Sequence, residues 1–378
     1  MIRRRKGHRK SREGCVQCKE RHSKCSEVHP ACLQCQRAGT RCSFSSPTIS
    51  RPPINEDSLA DLELLEHWHR NPVTGDLSET TRHLQYDLVR LGFSHHYLLN
   101  SILGLTALEL YSRDRTVTKW YDRAVAHQQT AITRARPHFE TVDQAQHQAL
   151  LGFSAFTSMY TIAEPNYRPL AVRSQQTHFD PVEELMKALC FSRSTMTFVY
   201  QNFPSALVSG CFILSKFVDT NQDTVQGLEE RFPQLAAIRG LVERDCAEEE
   251  GKACIKAANM MFRRIATLTD NFGTPEASKV IWGWGLEVPQ PFLDMCLAKH
   301  PVALAILAHF PVLQGFYQEH WCMSGWPRGL LQFITGVLGP SWEGLLKWPR
   351  DIALGSGLPA QNALPSPVPS PAAGSCLT

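Results

Sequence analysis

The sequence predicts a mostly α-helical protein in which a small cysteine-rich module precedes a large all-α domain. Apolar residues from Ser58 onward recur at three- and four-residue steps, as on one face of a helix, and the alternation typical of strands is absent. Six of the 13 cysteines lie within the first 42 residues. Because the chain has 378 residues and a typical domain ~150, a second domain is expected after the cysteine-rich module.

The six N-terminal cysteines form two equivalent half-sites with the spacing C-x2-C-x6-C. The first half-site is Cys15, Cys18 and Cys25, and the second repeats the same spacing with Cys32, Cys35 and Cys42. Tetrahedral zinc takes four thiolates, so one ion would leave two thiols over and two ions need eight ligand positions. Six cysteines fill eight positions if two of them bridge. The repeat predicts a cluster of two Zn²⁺ ions in which Cys15 and Cys32 are the bridges.

Two other uses of these thiols fit the sequence less well. A disulfide framework requires an oxidising compartment, and the chain begins Met-Ile-Arg-Arg-Arg-Lys without the apolar segment of a secretory signal. A thiolate-rich copper store is chemically reasonable, but it would not need an ordered repeat. We therefore expect a zinc site in a protein that is not secreted.

Residues 14–44 resemble the DNA-binding module of the fungal binuclear zinc cluster (Zn2Cys6) transcription regulators. Gly14 before the first cysteine, basic residues between the second and third, and Pro30 two positions before the fourth all match the family pattern. The resemblance implies a nuclear, zinc-dependent regulator of RNA polymerase II genes whose partner is double-stranded DNA. It also implies a fold in which the Zn2Cys6 module precedes an all-α regulatory domain.

Positive charge is concentrated in the same segment, as a DNA reader requires. Residues 1–44 contain 12 Lys+Arg and 3 Asp+Glu, a net charge of +9, whereas the rest of the chain carries −6, which gives +3 for the whole. Two Zn²⁺ ions with six thiolates carry only −2, so a large surplus of positive charge remains for phosphates. Such contacts release counterions and make the affinity for DNA dependent on salt.

The segment between the second and third cysteines supplies the candidate DNA contacts. In the family a short helix after the second cysteine enters the major groove. By position, this implies that Arg21 and His22 contact base edges and that Lys19 and Lys24 contact phosphates. His22 replaces the lysine that is more common in the family, which leaves the preferred half-site open. The alternative is that these are solvated helix residues that balance the charge of the cluster.

A basic arm covers residues 1–13, from Arg3 to Arg12. It is predicted to act as a nuclear import signal, to track phosphates through Lys10 and Arg12, or both. The alternative is a disordered, solvated tail. Residues 45–57, with three prolines, form a predicted linker. No heptad run of coiled-coil length follows the module, so homodimerisation, if it occurs, would have to use another surface.

The regulatory domain is predicted over residues 58–355. Ser58 and Asp61 form a capping-box pattern that places a helix start at Ser58. The predicted buried faces are Leu59, Leu62, Leu65 and Trp68, then Leu99, Ile102, Leu103, Thr106 and Leu110, then Val117, Trp120, Tyr121, Ala124, Ala131 and Ala135. Further helices are predicted over 142–163, 181–199, 205–218, 228–247, 251–270, 302–323, 328–338 and 341–350. Because no uncharged run approaches ~20 apolar residues, no membrane span is expected.

The helical domain itself looks like the effector domain of the sterol-uptake-control subgroup of these regulators. That resemblance implies an apolar small-molecule effector and target genes of lipid or sterol metabolism or of a secondary-metabolite cluster. The segments that carry the resemblance are Leu59–Trp68, Phe93–Leu108, and Trp321 to Pro349 with Gly325, Trp326, Leu330, Ile334, Trp342 and Trp348.

Residues 356–378 contain five prolines and no charged residue, which predicts a disordered tail. The sequence lacks the common nucleophile-elbow, dinucleotide, P-loop and metalloprotease motifs, so an enzyme is not expected. The sequence therefore predicts a sequence-specific, DNA-binding transcription factor. The alternatives are a ligand-sensing regulator whose helical domain binds a sterol-like molecule, and a zinc-stapled protein-interaction module that does not bind DNA.

Overall fold

The computed structural model describes residues 13–45, 55–71, 79–141, 143–169, 172, 179–202, 225–270, 283–316 and 321–355. Contacts divide the chain into two units, Met1–Ala60 and Asp61–Thr378. Four predicted segments lie wholly or largely outside the described residues: the basic arm with Lys10 and Arg12, most of the linker, the helix over 205–218 and the C-terminal tail. Each described part of the two units is considered by itself below.

The regular elements of the described residues are all helical, which confirms the predicted fold class. In the N-terminal unit two short helices, α1 and α2, each begin directly after the first cysteine of a half-site. The α-helices in the described ranges include α1 Val16–Glu20, α2 Leu33–Arg37, α3 Glu56–Arg70, α4 Glu79–Ser94, α5 His96–Arg113, α6 Lys119–Glu140, α7 His147–Tyr167, α8 Pro181–Asn202, α9 Val225–Arg231, α10 Pro233–Asp245, α11 Glu248–Asp270, α12 Gln290–Leu297, α13 Pro301–Leu307, α14 Phe310–Gly315, α15 Trp326–Leu338 and α16 Glu343–Leu354. Short 3-10 turns cover Ser43–Ser45, Gln144–Gln146, Trp321–Met323 and Pro340–Trp342.

Helix α5 is the central helix of the first half of the large unit. It is buried on nearly every side, from Tyr97 to Tyr111, and packs against α4, α6 and α7. A close approach to α6 explains the small side chains there: a Cβ at Gly104 would lie 3.2 Å from the backbone nitrogen of Gln128. The predicted buried face of α6 is confirmed for Trp120, Tyr121, Ala124, Ala131 and Ala135.

The second half of the large unit surrounds α11 and the short helices α12–α14. Two buried tryptophans tie distant segments together through their indole N–H groups. Trp284 donates to the carbonyl of Ala257 at 3.1 Å, and Trp326 donates to the carbonyl of Ile162 at 2.8 Å. Both rings are at most 1% exposed, so each satisfies its one polar group inside an apolar core.

The predicted start of α3 is wrong. The helix begins at Glu56, and Asn55 caps it, because the Asn55 Oδ1 accepts the backbone N–H of Ser58 at 2.7 Å. The predicted face is also wrong in part: Leu59 and Leu62 are more than half exposed, whereas Trp68 and the unpredicted Leu64 are buried. Three residues of an α-helix turn through only ~300°, which is less than a full turn. Residues chosen at three-residue steps therefore shift progressively around the helix and leave the face that packs on the core.

Prolines divide two of the predicted helices. The stretch 228–247 is two helices because Pro233 lacks an N–H and begins a new helix, α10. The stretch 302–323 is divided in the same way, with Pro311 in the first turn of α14 and a 3-10 turn at its end. No single helix of the described residues is long and apolar enough to cross a membrane, although the pair Gln290–Leu297 and Pro301–Gly315, bent by 107°, passes that test together.

Candidate metal centre and nucleic-acid interface

The six N-terminal thiols form the core of their unit. Each of the six cysteines is at most 6% exposed, and partly buried Ala31 and Phe44 pack around them. A segment of this size cannot bury enough apolar surface to fold on its own, and such segments commonly depend on a structural metal. Cys15 and Cys32 are the N-caps of α1 and α2, which places Cys18 and Cys35 in the first turn of each helix.

The thiol spacing fits metal ligation. The Sγ atoms of Cys15, Cys18, Cys32 and Cys35 all lie within 4.8 Å of one another. The Sγ of Cys15 is 3.7 Å from that of Cys32 and 3.6 Å from that of Cys35, and the Sγ of Cys18 is 3.6 Å from that of Cys32. Tetrahedral Zn–S bonds of ~2.3 Å place neighbouring sulfurs ~3.8 Å apart. The shortest contacts therefore match the edges of thiolate tetrahedra that share Cys15 and Cys32.

The third cysteine of each half-site lies beside the first. The Cys25 sulfur accepts the backbone N–H of Cys15 at 3.4 Å, and the Cys42 sulfur accepts that of Cys32 at 3.5 Å. The two contacts are equivalent under the repeat that relates the cysteines themselves. An all-thiolate donor set of this kind suits Zn²⁺. We take all six cysteines as ligands and Cys15 and Cys32 as bridges; this assignment is a proposal.

Thiol electrostatics in the cluster are uneven. Burial raises the pKa of Cys15 far above its ordinary value and also raises that of Cys35. Burial opposes ionisation at Cys32 too, but the backbone N–H of Cys35 and the thiols of Cys35, Cys18 and Cys15 donate to it and lower its pKa to about 6. A thiolate is the form that binds metal.

The two half-sites cap each other's helices. Ser43, which follows the last cysteine of the second half-site, accepts the Val16 N–H of α1 at 2.9 Å, and the Gln17 side chain accepts the Ser43 N–H at 2.7 Å. The mirror arrangement uses Ser26 from the first half-site: its hydroxyl accepts the Leu33 N–H of α2 at 2.9 Å, and Gln34 accepts the Ser26 N–H at 3.2 Å. We call these four hydrogen bonds the crossed caps.

Both short helices end in the left-handed conformation. His22, with φ 49°, and Gly39, with φ 60°, occupy the equivalent position of the two half-sites. Each helix ends with the hydrogen bond typical of this conformation. The Ser23 N–H donates to the Cys18 carbonyl in the first half-site and the Thr40 N–H to the Cys35 carbonyl in the second, both at 3.0 Å, and a shorter hydrogen-bonded turn lies inside each. Glycine adopts this conformation freely, whereas histidine does so at a cost in strain. Strain at a non-glycine residue is an observation typical of functional positions.

The proposed DNA contacts differ in their surroundings. Lys19, His22 and Lys24 are exposed on or next to α1. Arg21 is exposed as a residue, but its guanidinium lies against the second half-site, where Nη2 donates to the Cys35 sulfur at 3.2 Å and to the Thr40 hydroxyl at 2.9 Å. Its Nε donates to the Gln17 carbonyl at 3.2 Å. The predicted role of Arg21 as a base reader therefore competes with a role inside the cluster.

Sequence reasoning missed the side chains that join the half-sites. Gln17 and Gln34, and Ser26 and Ser43, recur at the same interval as the cysteines, so the repeat carried a signal for the crossed caps. The repeat gave no such signal for Arg21 and Thr40. The position equivalent to Arg21 is alanine (residue 38), and the position equivalent to Thr40 is serine (residue 23). Among the residues that the structure describes, no second group of three or more His, Cys, Asp or Glu residues brings its ligand atoms together in this way.

Comparison with known proteins agrees with this geometry. Residues 13–51 match the model of the fungal Zn(2)-Cys(6) binuclear cluster domain. A protein of Gibberella zeae described as a Zn(2)-C6 fungal-type transcription factor is 51% identical over 45 residues, which are 12% of this chain and 9% of that relative. No solved structure matches the chain. The Zn2Cys6 cluster binds two zinc ions, and residues 13–51 of this chain belong to the fungal Zn(2)-Cys(6) binuclear cluster family.

Proposed function

We propose that the chain is a nuclear, zinc-dependent and sequence-specific DNA-binding transcription factor that regulates RNA polymerase II genes. The observation that carries this proposal is the exposed basic segment that begins with Lys19 on α1 and ends at Lys24, on a Zn2Cys6 cluster. The segment 1–44 has a net charge of +9, and Lys19, His22 and Lys24 are all exposed beside the cluster. Target genes of lipid or sterol metabolism, or of a secondary-metabolite cluster, rest on the sequence resemblance alone.

In the proposed complex α1 enters the major groove, and its neighbours contact the backbone. Lys19 and Lys24 would neutralise phosphates, as would Lys10 and Arg12 from the basic arm, and this makes the affinity fall steeply with salt. His22, at the end of α1, would contact base edges. A ring in this position presents one donor or acceptor to a base edge and so discriminates between bases less strongly than a bidentate contact would.

The experiment that tests this function is selection from random duplex DNA with zinc-loaded, full-length protein at fixed salt, followed by sequencing of the bound pool. We expect enrichment of one half-site for a monomer, or of two at fixed spacing for a dimer. A folded protein that holds two zinc ions and enriches no sequence would contradict the proposal. That result would instead favour a zinc-stapled module for binding another protein.

Replacement of His22 by glycine is expected to separate folding from recognition. Glycine accepts φ 49° without strain but loses backbone entropy on folding, so the free energy of unfolding should stay within about 1 kcal/mol of the wild type. Both zinc ions should remain bound, whereas preference for the selected sequence over scrambled DNA should fall about tenfold. Binding isotherms for both DNAs measure this.

Lys24→Ala is the matched control for His22→Gly. It should weaken binding to both DNAs alike and reduce the slope of log affinity against log salt by about 1. If His22→Gly leaves the preference for the selected sequence intact, His22 is not a base reader.

The second candidate function is ligand sensing by the helical domain, and a groove between α10 and α11 favours it. The groove has a volume of about 680 Å³, a size that holds a small ligand. It is lined by the apolar side chains of Val242, Ile255 and Met260 and by charged residues that include Lys252 and Lys256. The Oδ1 of Asn259, which also lines the groove, is buried and has no hydrogen-bond partner among the described residues.

Thermal unfolding of the full-length protein with ergosterol as the sterol probe tests this second function. Binding to the folded state should raise the Tm in proportion to the logarithm of sterol concentration. Ile255→Glu should abolish the rise, and Val337→Glu, at an exposed valine on α15, should keep it. The absence of a rise in the wild type, or an equal rise in both variants, would contradict ligand sensing through this groove.

A further inference from the structure

Arg21 connects the two half-sites of the cluster. It follows α1 in the first half-site, yet its Nη2 donates to the sulfur of Cys35 at 3.2 Å and to the hydroxyl of Thr40 at 2.9 Å, both in the second half-site. Its Nε is held by the carbonyl of Gln17 at 3.2 Å. Hydrogen bonds from a charged donor are about twice as strong as neutral ones. The guanidinium is therefore anchored at three points.

This contact breaks the symmetry of the repeat. The residue equivalent to Arg21 in the second half-site is Ala38, which has no side-chain donor, so the equivalent contact from the second half-site to Cys18 cannot form. The crossed caps, by contrast, are present in both directions. Cys35 thus has a cationic partner that its counterpart Cys18 does not receive from the equivalent residue.

The contact also uses the part of the side chain that reads DNA. A bidentate contact to guanine needs two parallel N–H groups on one edge of the guanidinium. The two edges that offer such a pair are Nη1 with Nη2 and Nε with Nη2, so both include Nη2. Nη2 already donates to a sulfur and a hydroxyl. A base contact through either edge would have to break these bonds.

We propose that Arg21 is a positioning residue that fixes the Cys35 thiolate in the cluster, and that it does not read bases. The proposal takes Cys35 as a ligand of only one of the two zinc ions, so Arg21 stabilises that ion selectively. It rests on the zinc cluster, and its claim about metal does not depend on DNA binding. The two ions are consequently unequal, although the cysteine spacing that holds them is a repeat.

Zinc release from full-length protein to a chromophoric chelator tests the metal claim. In Arg21→Ala one ion should leave roughly tenfold faster than in the wild type, as expected for loss of a charged hydrogen bond. The other ion should keep its rate. Arg37→Ala, which removes the same charge from exposed α2, should leave both rates unchanged. Equal acceleration of both ions in Arg21→Ala, or the same effect in Arg37→Ala, would overturn the proposal.

A second variant guards against loss of folding. Arg21→Lys keeps the charge but lacks the planar fork. When this variant is loaded with ¹¹³Cd, its cadmium NMR spectrum should show one resonance shifted from its wild-type position and the other unshifted. General destabilisation would not produce that pattern. Two equal displacements, or none, would contradict a selective contact with Cys35.

DNA selection with Arg21→Ala at full zinc occupancy tests the second part of the proposal, because lysine at this position could itself contact guanine. The enriched sequence should be that of the wild type. A changed sequence with unchanged zinc release would make Arg21 a base reader and overturn the proposal. If the wild type itself enriches no sequence, the proposed function fails, while the zinc and cadmium measurements still decide whether Arg21 positions Cys35.

Discussion

Cys32→Ala is expected to cost the protein both zinc ions. As the proposed bridge, Cys32 would belong to both tetrahedra, and its sulfur lies 3.7 Å from that of Cys15 and 3.6 Å from that of Cys18. Structural zinc contributes about 10–16 kcal/mol to the folding of small zinc modules. Loss of the bridge should therefore unfold the N-terminal unit and abolish DNA binding, while the helical domain stays folded.

Zinc content of the purified full-length variant, together with far-UV circular dichroism, measures both effects. Cys42→Ala, at a proposed terminal ligand, should keep more zinc than Cys32→Ala. Cys296→Ala is the control, because Cys296 is buried in the helical domain far along the chain from the cluster and should leave both ions in place. A Cys32→Ala protein that still holds two ions would show that Cys32 is not a bridge.

Trp326→Ala is expected to produce the largest loss of stability in the helical domain. The ring is 1% exposed and belongs to the main core cluster, so its removal leaves a large cavity. The free energy of unfolding should fall by about 3–5 kcal/mol. The Ile162 carbonyl would also lose the indole N–H that now donates to it at 2.8 Å.

Urea unfolding of the full-length protein, followed by circular dichroism, measures this loss. Trp326→Phe keeps most of the apolar volume and removes the donor, so it should cost only about 1–2 kcal/mol. Val337→Ala, at an exposed position of the same helix, should stay within about 0.5 kcal/mol of the wild type. A Trp326→Ala protein as stable as the Phe variant would mean that the core closes over the missing ring.

The metal centre was the easiest part to predict because the spacing of the cysteines determines its geometry. Two identically spaced half-sites with three thiols each are compatible with few structures other than two shared tetrahedra. The contact of Arg21 with Cys35 could not be predicted in this way. It depends on where the end of α1 contacts the second half-site in the folded module. The sequence alone does not distinguish an arginine that donates to a sulfur from one that contacts a base.

The helical domain was predictable where one face is buried and the other exposed. The face of α6, with Ala124, Ala131 and Ala135, followed the helical period and was confirmed. Helix α5 is buried on nearly all sides, so periodicity alone identified only part of its core. The start of α3 was misplaced because both Asn55 and Ser58 are good capping residues, and the structure uses Asn55.

The crossed caps determine how this module can be exchanged between proteins. The repeat in the sequence suggests that one half-site is a cassette, but each half-site supplies the serine that caps the helix of the other. A chimera that took one half-site from a relative would carry a helix without its partner serine unless both proteins had serine after the third and sixth cysteines. The unit of modular design is accordingly the whole segment from Cys15 to Ser43, with both halves inherited together.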